Sequence, residues 1–67
     1  MATSSDIYKT ANLLIETYGE MAAVGAAIKA DECLRDGNAS GRAVWLRIVR
    51  AVEELTDDFS PEGVTIN

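Results

Sequence analysis

Residues 20–34, EMAAVGAAIKADECL, constrain the fold more than any other part of the chain. The segment holds five alanines, at 22, 23, 26, 27 and 30, and no charge from 21 to 28. Ala22, Ala26 and Ala30 recur every four residues, which stacks them on one face of a helix. Side chains this small let a neighbouring helix backbone come close, and large residues of that neighbour then fill the grooves. A bilayer is the wrong neighbour, because the uncharged run is far shorter than the ~20 residues that span one. Nothing in the segment suggests a cofactor. The smooth face is therefore expected to be a helix–helix seam inside an all-α fold.

Drawn as a helix, residues 20–36 show two apolar groups. Ala22, Ala23, Ala26, Ala27, Ala30, Cys33 and Leu34 share one continuous arc, expected to be core. Met21, Val24 and Ile28 fall on roughly the opposite side, among Asp31, Glu32 and Arg35. Leu13 and Leu46 are similar outliers on the flanking segments. A lone exposed hydrophobe is ordinary. A stripe of three on a small domain is a candidate protein interface, and a homodimer is the preferred form.

Two further segments carry the 3.6-residue period. In residues 6–18, Ile7, Tyr8, Ala11, Leu14, Ile15 and Tyr18 cluster within an arc of roughly 120°. Ser4 or Ser5 is the expected N-cap, Asp6 suits the helix dipole, and Gly19 is a natural stop. In residues 39–56, Val44, Trp45, Ile48, Val49, Ala51, Val52 and Leu55 form the apolar face, with Trp45 expected as its largest core residue. Asn38 is the expected cap of this third helix, and Gly37 ends the second, which spans about 21–36. Glu20 is a poor N-cap, so the first junction is expected to be less well capped. The architecture expected is a small three-helix bundle over residues 1–56. Residues 57–67, with the only proline and Phe59 as a possible anchor, read as a flexible or loosely docked tail.

Sixty-seven residues is near the lower limit for independent folding, and such domains usually need a staple. One cysteine and no histidine leave neither an internal disulfide nor a Cys/His zinc site. Helix packing and association remain. Eleven acidic against six basic residues give a net charge of −5, which repels nucleic acid and anionic lipid. The polar opening MATSSD does not read as a signal peptide, and the protein is expected to be cytoplasmic.

The chemical inventory is thin, and no catalytic, cofactor-binding or metal-ligating residue is assigned. Without histidine there is no Ser/His or Cys/His pair, and Cys33 on the small-residue arc reads as a packed hydrophobe. Asp31 and Glu32 diverge by 100°, and Asp31 is expected to pair with Arg35. Asp57 and Asp58 sit in the tail. Arg42, Arg47 and Arg50 make a nucleic-acid contact the alternative reading, weakened by Glu53 and Glu54 beside them and by the net charge. Their expected role is intrahelical pairing and contact with solvent.

Some of these residues resemble a family of short alphaproteobacterial proteins of unknown function. The likeness rests on Tyr8 early in helix one, Gly19 before helix two, Ala30-Asp31, and Ala43-Val44-Trp45 opening helix three. Ile48, Ala51, Val52 and Leu55 match the family's ending. The turn Gly37-Asn38-Ala39-Ser40-Gly41 has asparagine where the family has aspartate, and Glu20-Met21 stands where two acids are usual. The resemblance implies an all-helical, cytoplasmic bacterial protein and no activity, cofactor or catalytic residue. The functional expectation is a non-catalytic interaction or regulatory module. A small-ligand binder or enzyme comes last, since no convergent polar cluster is legible.

Overall fold

The computed structural model describes residues 3–56. Among them every regular element is helical and there is no strand, so the chain is all-α. Helix α1 spans Ser4–Tyr18, a 3-10 turn covers Gly19–Met21, α2 spans Ala22–Arg35 and α3 spans Ala39–Thr56. The expected tail, with Phe59 and the Asp57-Asp58 pair, lies outside the described residues.

Helix α1 starts two residues earlier than its periodicity suggested, because Thr3 rather than Ser4 or Ser5 is the cap. The Thr3 hydroxyl accepts from the Asp6 amide at 3.2 Å, and the Asp6 carboxylate accepts from the Thr3 amide at 3.3 Å. This is a capping box, with aspartate in the place usually held by glutamate. Asp6 therefore does more than complement the helix dipole. At the far end Gly19 has φ +57° and ψ −123°, a backbone conformation that side chains tolerate poorly. It breaks α1 and starts the 3-10 turn. The N-cap of α2 is Met21, with no side-chain hydrogen bond, as the poor capping residues at this junction led one to expect.

The α2–α3 junction is the opposite case. Gly37, at φ +75°, donates its amide to Leu34 O at 3.2 Å, and Asn38 donates to Cys33 O at 2.8 Å. These two bonds form a Schellman stop that satisfies the last carbonyls of α2. Asn38 then serves the next helix: its side-chain oxygen accepts from the Gly41 amide at 2.9 Å and its carbonyl from Arg42 at 3.0 Å. One residue thus closes α2 and caps α3.

The three helices share one core, and α3 packs more extensively against α2 than against α1. The enclosed side chains are Ile7 and Ala11 of α1, Ala22, Ala26 and Ala30 of α2, and Ile48, Ala51 and Val52 of α3. The alanine ladder is the seam expected of it. Trp45 is only half-buried and packs against the edge of the core rather than filling its centre. Among the described residues five of the eight enclosed ones are alanines, and the large apolar side chains inside are Ile7, Ile48 and Val52. Chain entropy costs ~1–2 kcal/mol per ordered residue, and a core this poor in large groups leaves a small margin over it.

The enclosed stripe is narrower than the apolar arcs. Leu34 is 58% exposed, and Ala27 is exposed as well, although both lie on the arc expected to be core. They occupy its trailing edge, where α1 and α3 do not enclose them, and Leu34 reaches only the open groove beside α3. Tyr8, at the edge of the α1 arc, and Tyr18, the last residue of the helix, are likewise exposed.

Candidate functional site

The outer face of α2 carries the expected stripe. Met21, Val24 and Ile28 are 56%, 46% and 51% exposed, spaced by three and four residues so that they share one strip. Tyr18 extends it. A Cβ placed on Gly25 would meet Tyr18 Cδ2 at 3.8 Å, so the exposed ring lies against the glycine between Met21 and Ile28. The missing side chain at Gly25 thus lets the end of α1 cover part of α2 and widens the apolar surface. Lys29 Nζ and Glu32 Oε1 pair at 3.7 Å on the same helix, in place of the Asp31–Arg35 pair expected there. Both partners are about half exposed, so the contact adds little stability.

Leu13 on α1 and Leu46 on α3 are exposed as well. Leu13 stands exposed on α1, its carbonyl accepting from the Thr17 hydroxyl at 2.8 Å. Leu46 joins Leu34 in a groove of about 270 Å³ at the α2–α3 corner, with Arg42 and Asn38 also in its lining. Beneath that corner Cys33 is half-buried, its Sγ 4.0 Å from Asn38 Nδ2. A Cβ on Gly41 would overlap Asn38 Nδ2 and come within 3.0 Å of Cys33 Sγ. Cys33 is thus half-buried rather than enclosed, although it lies on the small-residue arc.

A second groove, of about 220 Å³, lies between α1 and α3. Buried Ile7 and Ala51 form its apolar base, and Ser4, Tyr8, Arg47, Arg50 and Glu54 surround them. Arg47, Arg50, Ala51 and Glu54 follow an i, i+3, i+4, i+7 pattern, which places them along one stripe of α3. The Tyr8 hydroxyl donates to the Glu54 carboxylate, joining α1 to α3. That hydrogen bond, and then the carboxylate charge itself, hold the Tyr8 phenol above its ordinary pKa of 10.0.

This arrangement corrects the expectation for the arginines. Among the described residues neither Arg47 nor Arg50 forms an ion pair within 4.0 Å, while Glu54 accepts from Tyr8. Arg42 lines the other groove, whereas Arg47 and Arg50 line this one. A convergent polar cluster does exist, and it was not legible in the sequence. The spacing from Arg47 to Glu54 could have marked the α3 half. Tyr8, 46 residues away, is brought in by packing alone.

No described helix is long and apolar enough to cross a membrane. Among the described residues, no three Cys, Asp or Glu side chains come together as a metal-ligand group. Compared with protein-family models, curated proteins and solved structures, the chain has no significant match in any of the three.

Proposed function

We propose that this chain is a small non-catalytic interaction module, a three-helix bundle that pairs with a second copy of itself through the outer face of α2. The observation that carries the reading is the strip of half-exposed Met21, Val24 and Ile28, widened by the Tyr18 ring over Gly25. Burial of apolar surface is worth ~25 cal/mol per Å², and a domain this small gains proportionately more from it than a larger one. A strip on one helix suits a two-fold contact, in which the same surface meets itself and α2 crosses its counterpart. The alanine ladder on the reverse of α2 holds the strip on a rigid support. A bacterial cytoplasmic setting goes with this reading, supported by the sequence resemblance and the acidic composition. The nucleic-acid alternative has weaker support, since Arg42 lies in a different groove from Arg47 and Arg50.

Sedimentation equilibrium across a dilution series, from micromolar to millimolar, tests the proposal. The expected result is a rise toward twice the monomer mass, abolished by Ile28→Asp with the far-UV circular dichroism unchanged. A wild-type chain that stays monomeric at millimolar concentration sinks the self-association reading.

A further inference from the structure

The groove between α1 and α3 has a chemistry separate from the α2 face. Among the described residues it presents two guanidinium groups and one carboxylate, a net of one positive charge on a chain whose overall charge is −5. The carboxylate is also engaged, because Glu54 accepts from the Tyr8 hydroxyl. Arg50 and Glu54, four residues apart, are in the usual register for an intrahelical pair, yet no such pair forms. Tyr8 from α1 engages the carboxylate instead, and both arginines line the groove without an ion pair among the described residues. Beneath them lie Ile7 and Ala51, both enclosed and apolar.

We infer that this groove binds a small organic anion: a carboxylate or a phosphate monoester with a compact apolar body. The planar guanidinium offers a fork of N–H donors that matches the oxygens of either anion, and two of them lie one helical turn apart. The apolar base takes the body of the ligand. At about 220 Å³ the groove is below the ~300–1,000 Å³ of sites for drug-sized molecules, which sets the size class at a single ring or a short chain. The acidic remainder of the surface repels anions, so binding should be confined to this place.

The test is a two-dimensional amide NMR titration of the full chain at constant ionic strength, with benzoate, phenyl phosphate and neutral benzyl alcohol as separate probes. The expected result is saturable shifts confined to Ser4, Ile7 and Tyr8 on α1 and residues 47–54 on α3, with either or both anions. Benzoate alone would identify a carboxylate site, phenyl phosphate alone a phosphate site, and both the shared chemistry. Arg47→Gln and Arg50→Gln should each weaken binding roughly five- to tenfold, the scale of an exposed charge-assisted contact. Glu54→Gln should tighten it by removing the competing charge, which a merely structural role for Glu54 would not do. Tyr8→Phe, by releasing Glu54 toward Arg50, should weaken it. Shifts that fail to saturate, that spread over the surface, or that benzyl alcohol reproduces would overturn the inference. So would titrations that the Arg47→Gln/Arg50→Gln double variant leaves unchanged while its circular dichroism stays native.

Discussion

Gly41→Ala should destabilise this protein, although it replaces glycine by the best helix former within a helix. An alanine in a helix interior is worth ~1 kcal/mol over glycine, so the local expectation is a gain. Here the new Cβ would overlap Asn38 Nδ2, lie 2.9 Å from Asn38 Cγ and 3.0 Å from Cys33 Sγ. The overlap alone is cheap, because an asparagine side chain can rotate away. The cost is what rotation abandons: the 2.9 Å bond from the Gly41 amide to Asn38 Oδ1 that caps α3. Losing an N-cap costs ~0.5–2 kcal/mol, and pushing Cys33 from its rotamer adds ~0.5–1.5 kcal/mol. The net effect expected is a loss of about 1 kcal/mol. For a domain of this length that lowers Tm by ~4–8 °C.

A double-mutant cycle isolates the cause. Asn38→Ala alone removes the cap and should cost about 1 kcal/mol. In that background the Asn38 side chain is no longer in the way, so Gly41→Ala should be neutral or gain about 0.5 kcal/mol. The substitution changes sign, with a coupling energy on the order of 1 kcal/mol. Urea and thermal unfolding followed by far-UV circular dichroism, at one fixed protein concentration, measure all four corners. The reasoning fails if Gly41→Ala raises Tm in the wild-type background, or if the two effects add within ~0.3 kcal/mol.

Ala26→Leu forces a large side chain into a fully enclosed site and should cost at least ~1–3 kcal/mol, whereas exposed Ala27→Leu should stay within ~0.5 kcal/mol of wild type by urea unfolding. The Tyr8 pKa, raised by the Glu54 hydrogen bond, means the folded state holds the phenolic proton more tightly than the unfolded chain. That contribution is complete below the unfolded value of about 10 and is lost as pH rises from there through the folded value. Stability measured between pH 8 and 11 should thus fall more steeply for wild type than for Glu54→Gln; parallel curves would remove the Tyr8–Glu54 bond from the account. Replacing Thr3 by alanine breaks the capping box and should cost about 1 kcal/mol, with amide exchange rising first at Asp6; unaltered exchange there would assign the start of α1 to packing instead.

The sequence alone determined the features that depend on neighbours within a turn or two of the chain. Helical periodicity, the stops at Gly19 and Gly37, the Asn38 cap and the alanine ladder are all set by backbone geometry and side-chain size over three to five residues. The uncapped junction at Met21 was legible for the same reason. The α1 start was legible only to within two residues, because the local pattern points to Ser4 or Ser5 as the cap and to Asp6 as a dipole partner, not to the reciprocal Thr3–Asp6 unit. Tertiary structure decided what depends on which faces of the helices meet. A wheel shows that Leu34 and Ala27 adjoin the core arc, yet only the positions of α1 and α3 leave them exposed. Tyr18 was assigned inward by its phase and is drawn instead over Gly25, because the break at Gly19 brings the end of α1 beside α2. The groove at Arg47 and Arg50 is the clearest case. Local spacing allows Arg50 to pair with Glu54, and a tyrosine 46 residues away takes the carboxylate first. No local pattern encodes that competition, since it exists only once α1 lies against α3.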